Sequence, residues 1–335
     1  MAQSPLSHRA RLESCLDGQA VDRPPVALWR HFPVDDQTPE GLAAAVTAFQ
    51  YAFDFDLIKV TPASSFCLKD WGVDDHWAGN PEGTRDYTRR VIHHPEDWER
   101  LQPLDPTLGT LGDQLTCLRL LAAEFSPQVP IIQTIFSPMS QAKNLAGPGD
   151  LLVHMRRNPD LLHAGLRQIT ETTIRFLEEA IQTGIDGVFY AVQHGQYGLL
   201  STDEFTAFCR PYDLQVLEAA RGLWLNLLHL HGEAVMFNQV MDYPVAIINW
   251  HDRQAPPTLA EAQTRFRGVV CGGLRQWETM VLGTPGQVRA EALDAIQQTQ
   301  GRRFILGTGC VLPTTAPLGN ILAARQIVSV SGGAS

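Results

Sequence analysis

The chain has 335 residues, 44% of them hydrophobic and 19% charged, and a net charge of −10. That composition supplies a real core, the acidic balance excludes a nucleic-acid footprint, and no apolar run reaches the roughly 18 residues of a membrane span. Six cysteines (Cys15, Cys67, Cys117, Cys209, Cys271 and Cys310) are scattered without a CxxC pair, and Met1–Arg23 is polar with no apolar signal core, so the expected setting is the cytoplasm, with reduced thiols.

Length alone suggests two domains, but α/β barrels commonly exceed the usual domain size. In chain order, short apolar runs rich in β-branched residues fall at Pro25–Trp29, Asp56–Thr61, Pro130–Phe136, Gly187–Val192, Asn226–His231, Val245–Trp250, Gly268–Gly273 and Arg303–Gly309. Helical stretches separate them. Thr38-Pro39-Glu40 opens one helix with an N-cap, a proline at the first position and an acid in the first turn. Pro159–Gly184 is long and amphipathic, Ser201-Thr202-Asp203-Glu204 has the form of a capping box, Thr284-Pro285 opens a helix that Gly301 ends, and Pro317–Val330 comes last.

Eight strands alternating with helices is the count that closes a (β/α)₈ TIM barrel, an α/β fold, here one domain spanning 1–335. The stretch 71–106 is rich in charge, glycine and proline and breaks the alternation. It reads as an excursion over the barrel mouth with a hairpin around Arg85–Ile92, and the tail Ser331–Ser335 reads as disordered.

Catalytic side chains in such barrels stand where strands end and βα loops begin. Those ends carry Arg30 and His31, Lys59, Gln193 and His194, the run His229-Leu230-His231-Gly232-Glu233, His251-Asp252-Arg253, and Gly309-Cys310. Residues i and i+2 of a strand face the same way, so His229 and His231 project together. With a cysteine at the end of the last strand, two imidazoles and a thiolate suit Zn²⁺ and leave a fourth position open, which Glu233 is available to fill. The alternative is one satisfied interior histidine and an ordinary buried thiol. Arg30 either grips a substrate carboxylate or pairs with a loop acid. Lys59 interrupts an apolar strand, where an unpaired charge is costly; it serves a substrate or an acid of the barrel. His194 and His251 are candidates for general acid or base, with Asp252 either orienting His251 or pairing with Arg253, and Gln193 lies beside them as a substrate-binding candidate.

Several motifs carry a resemblance across nearly the whole chain. Asp22-Arg23-Pro24-Pro25-Val26 through Arg30, then Gly184-Ile185-Asp186-Gly187-Val188-Phe189 with Arg210-Pro211-Tyr212, then Gly309-Cys310-Val311-Leu312-Pro313 with Pro317 and Asn320-Ile321, resemble the uroporphyrinogen decarboxylase superfamily in the right order. That group includes the decarboxylase, corrinoid-dependent methyltransferases and cobalamin-independent methionine synthase. The resemblance departs from the decarboxylase. Arg30 matches the first of two arginines but Val34 stands where the second belongs. No aspartate matches near Lys59–Thr61, Gln193 replaces a serine, and Cys310 replaces a histidine. The methyltransferases carry His-x-Cys and a distal Cys on zinc; His229 and Cys310 match, and His231 replaces the first thiolate.

The resemblance therefore implies a zinc-dependent methyltransferase moving a methyl group between a small substrate or corrinoid and a thiol. A corrinoid would be carried by a partner protein. The second implication is a metal-free lyase decarboxylating a porphyrinogen or smaller acid, and the third a tetrapyrrole-binding protein without catalysis. A homodimer is implied as well.

Overall fold

The computed structural model describes residues 5–331. Nine strands are present among them: β1 (Ile58–Val60), β2 (Asp74–His76), β3 (Asp86–Arg89), β4 (Ile131–Phe136), β5 (Gly187–Val192), β6 (Leu227–Leu230), β7 (Ile247–Trp250), β8 (Val269–Leu274) and β9 (Phe304–Thr308). Seven form one parallel sheet in the order β1-β4-β5-β6-β7-β8-β9. Helices separate the strands of this sheet, except that only the 3-10 turn Phe237–Val240 lies between β6 and β7.

The run Pro25–Trp29, expected as a full strand, makes only one bridge, Val26 to Leu306. The cause is local. Proline has no N–H to give at positions 24 and 25, and the Val26 N–H is taken by the Asp56 carboxylate at 2.8 Å. The segment still fills the eighth place. The Ala27 and Leu306 amides bond to Leu306 and Pro25 carbonyls on one side, and the Asp56 amide bonds to the Val26 carbonyl on the other. The ring is thus closed by three backbone bonds and a carboxylate.

Beneath this seam lies a knot of charge. Asp56 is fully buried and takes Arg11 at 2.7 Å and Arg23 at 2.7 Å. Burial pushes its carboxyl up, but the hydrogen bond to His8 and the charges of Arg23 and Arg11 win and hold it well below the usual range. Arg11 belongs to the helix His8–Leu16, which the sequence reading left without structure. Its apolar positions are too sparse to show periodicity, yet Leu12 and Cys15 plug the amino end of the barrel against Ala27, Leu57 and Ile305.

The other helices follow their caps. Thr38 accepts from Gly41 N at the start of Pro39–Phe53. Ser201 and Glu204 form the capping box of Thr202–Phe208, and Thr284 and Gln287 that of Pro285–Thr299. The long helix spans Pro159–Gln182, and the last runs Leu318–Ser331, so all of the tail beyond Ser331 lies outside the described residues. None is long and apolar enough to cross a membrane.

The excursion holds an antiparallel hairpin, but its arms are β2 and β3, so only the second arm falls within the expected 85–92. Asp74-Asp75-His76 carries no β-branched residue and gave no strand signal. The loop that joins the two arms crosses the mouth. Pro81 O accepts from Thr314 N and Oγ1, Glu82 accepts from Trp277 Nε1 at 2.9 Å, and Gly83 lies on His31. At Gly83, φ is +77° and an added Cβ would come within 2.3 Å of the His31 Cβ, so both the turn and the contact need glycine.

Candidate active site at the barrel mouth

Alternation along each strand decides what enters the barrel. Leu57, Leu227 and Ile247 face inward in a buried apolar layer with Phe189 and Cys271. Two residues on, towards the carboxyl ends, the same face presents Lys59, His229 and Asn249. Register sets His229 beside Ala191 on one side and Asn249 on the other.

His229, His231, His251 and Cys310 converge there. One ligand atom from each lies within 4.8 Å of every other. Cys310 Sγ is 3.7 Å from His231 Nδ1, and the His231 and His251 rings meet edge to face at 5.2 Å. His229 is buried, and the other three are half-buried. Burial, then the neighbouring His231 and His251, holds His229 far below the usual histidine range. Burial, then His251 and Lys143, brings His231 down to about 4. Burial lowers His251 and pushes the Cys310 thiol up to about 11. The imidazoles are therefore neutral at pH 7, the form that binds metal.

Asn249 orients His229. Its amide nitrogen donates to the carbonyls of Cys271 at 2.9 Å and Thr308 at 3.0 Å, so its oxygen faces His229 Nδ1 at 2.7 Å. Nδ1 must carry the proton, and Nε2 is left as the lone-pair nitrogen. Metal-bound histidines use an acceptor of this kind behind the ring. Nε2 of His251 is buried with no protein partner, and its Nδ1 meets Gln254 Oε1 at 3.2 Å.

The other expected residues divide. Lys59 is buried beside the cluster: Nζ lies 4.4 Å above the Phe189 ring and 3.1 Å from Thr61 Oγ1. Among the described residues it meets no carboxylate within 4 Å. Burial brings it down to about 7, opposed by Cys310. Gln193 is half-buried and accepts from Lys143 Nζ at 2.6 Å. His194 is buried with Nδ1 unpartnered, and burial followed by Lys143 lowers it to about 3.

Three residues are not brought into the cluster. Glu233 is exposed, past the turn at Gly232. Asp252 does not touch His251; its Oδ1 accepts from Gly273 N at 3.0 Å and its Oδ2 is 3.6 Å from Arg253 Nε. Arg30 shares the outward parity of Val26 and Leu28. Its guanidinium stacks over Phe32 at 5.1 Å and Phe49 at 5.8 Å and reaches Thr314 O at 3.4 Å. Asn249 and Lys143 were the residues passed over. The inward parity of Ile247 and Asn249 was the available signal for the first. A lysine beside Met139 and Ala146 on one helix face was the signal for the second.

Comparisons with known proteins agree with this architecture. The family described as uroporphyrinogen decarboxylase (URO-D) matches residues 7–329. A methylcobamide:CoM methyltransferase, MtbA, of Methanosarcina acetivorans is 20% identical over 330 residues, covering 93% of this chain and 95% of that protein. A uroporphyrinogen decarboxylase of Prochlorococcus marinus is 25% identical over 229 residues, covering 65% of this chain and 63% of its own. Among solved structures, a methyltransferase from Methanosarcina mazei superposes with a TM-score of 0.84 at 18% identity, covering 96% of this chain and 98% of that one.

Proposed function

Because the chain belongs to the uroporphyrinogen decarboxylase family, we propose that it is a zinc-dependent methyltransferase moving a methyl group between a small substrate or corrinoid and a thiol. The observation that carries this reading is the convergence of three imidazoles and a thiol within 4.8 Å at the mouth.

The donor set fits the metal. Zn–N bonds of about 2.0–2.1 Å and Zn–S bonds of about 2.3 Å place tetrahedral ligand atoms roughly 3.3–3.8 Å apart, a modest contraction of the cluster as it stands. Nitrogen and sulfur donors suit zinc over the hard cations. His229, His231 and Cys310 would hold the ion, and His251, in place of Glu233, would be the fourth donor and the one that an arriving thiol displaces. A zinc ion bound there lowers the pKa of a substrate thiol and favours its thiolate. With three neutral imidazoles and one thiolate as ligands, the centre would be less electron-rich than one built on two thiolates.

The protein's own groups do the rest. Lys59 holds an anionic part of the substrate. His194, neutral and with a bare ring nitrogen, accepts a hydrogen bond from the arriving thiol. The Trp29–Phe189 pair, with ring centroids 5.3 Å apart, closes the floor and excludes water. The methyl donor is a corrinoid carried by a separate partner, a reading supported by the relatives named methylcobamide:CoM methyltransferases.

The test joins metal content to turnover. Protein purified without a metal-loading tag should contain about one zinc per chain, lose it in Cys310→Ala, and demethylate methylcobalamin in the presence of a thiol. Zinc-free protein, or zinc retained in Cys310→Ala, overturns the metal site. Robust decarboxylation of uroporphyrinogen with no methyl transfer restores the lyase reading.

A further inference from the structure

The mouth holds a second cation. Lys143 stands in the last turn of the helix Pro138–Ala146, which follows β4 directly. Its Nζ donates to Gln193 Oε1 at 2.6 Å, and Gln193 in turn is held by its own N–H, which donates to Ser140 Oγ at 3.1 Å. The lysine is therefore braced and not waving in solvent. Its charge acts on His194 and His231. The charge of Lys59 acts on His229 and Cys310. The two lysines thus reach different members of the donor cluster, one from β1 and the other from beyond β4.

Neither meets a carboxylate within 4 Å among the described residues, although most cations of this chain do. Arg11, Arg23, Arg85, Arg156, Arg210 and Arg253 all have acidic partners. The helix C-terminus favours Lys143 only weakly, and burial still brings the group down to about 8. Glu82, which faces His251 and Cys310, is already engaged by Gln276 and Trp277. The amide nitrogen of Gln193 donates to no protein acceptor among the described residues.

We propose that the mouth binds a small thiol bearing two acidic groups, one received by Lys59 and the other by Lys143 together with the Gln193 amide. The thiol half of this statement rests on the function proposed above. The diacid half rests on the two lysines alone.

Calorimetric titration of the zinc-loaded protein separates the halves. The probes are mercaptosuccinate, mercaptoacetate, succinate and acetate. A charge-assisted hydrogen bond contributes enough for mercaptosuccinate to bind about tenfold or more tighter than mercaptoacetate. Succinate should exceed acetate in the same sense. K143M should bring both ratios close to one, and K143R should keep a preference for two acids. Equal binding of mono- and diacid by the wild-type protein overturns the proposal, as does a preference that survives K143M. The wild-type ratios need no variant, so misfolding of K143M leaves the test decisive. If succinate and mercaptosuccinate bind alike while both exceed their monoacids, the thiol reading fails and the two-acid site stands.

Discussion

Asn249 fixes the tautomer of His229: its oxygen takes the Nδ1–H at 2.7 Å because both of its own N–H groups are committed to the carbonyls of Cys271 and Thr308. Three strands thereby agree on the aim of one imidazole nitrogen.

Replacing Asn249 by alanine should weaken zinc affinity about 10–100-fold, the usual effect of losing the acceptor behind a metal-bound histidine. Competition against a chromophoric chelator measures it. Affinity equal to wild type would show that packing on Phe189, whose ring lies 5.2 Å from that of His229, suffices to aim it.

His251→Ala and Glu233→Ala discriminate the fourth donor. Loss of the histidine should lower metal affinity and alter the visible spectrum of the cobalt-substituted protein, because its Nε2 is buried and unpartnered beside the other donors. Loss of the exposed glutamate should change neither. The reverse pattern would return Glu233 to the centre.

Lys59→Met should leave stability within about 1 kcal/mol of wild type or raise it, since the change removes a buried charge without stranding an acid. Binding of an anionic substrate should weaken in parallel. Denaturant unfolding supplies the check. A loss of roughly 3–5 kcal/mol would mean that the lysine neutralises a carboxylate of the barrel.

Away from the mouth, Asp213 offers a pH test. It is buried, and accepts from the Tyr190 hydroxyl at 2.7 Å and the Tyr243 hydroxyl at 2.9 Å. Burial pushes it up to about 7, against the pull of the two hydrogen bonds and Arg210. A folded-state pKa above the unfolded one means that the native state binds the extra proton. Its contribution is full below about pH 4 and is lost as pH rises through about 7. Asp213→Asn keeps hydrogen-bonding partners for both tyrosines. It should match wild type at pH 4 and exceed it at pH 8 by on the order of a few kcal/mol. Parallel stability–pH curves for the two proteins would refute the shift.

What the sequence disclosed depended on the range of the interaction. His229 and His231 were legible as a pair because a strand repeats every two residues, and Cys310 because it follows a glycine at the end of an apolar run. His251 was legible as a mouth residue but its place among the donors was not, since that follows from how β6, β7 and β9 lie around the ring. Helix starts at Thr38, Ser201 and Thr284 were local and readable. The Arg11–Asp56–Arg23 knot joins residues 33 and 45 positions apart, and nothing in any one window announces it. Asp252 and Arg30 were placed at strand ends correctly as residues, yet the outward parity of Arg30 and the Gly273 amide over Asp252 turned them to other partners.

The seam at Val26 should part more readily than the laddered joints of the ring, for few backbone bonds hold it. β1, with Lys59, lies on one side of it, and β9, which runs into Cys310, on the other. Breathing at the seam would therefore stretch the site itself, separating Lys59 from the Cys310 thiol. The amides of Ala27, Asp56 and Leu306 should be among the first barrel amides to exchange with deuterium. Weakening Asp56, at the far end of the barrel from the histidines, would then loosen the four-donor cluster without touching any of its members.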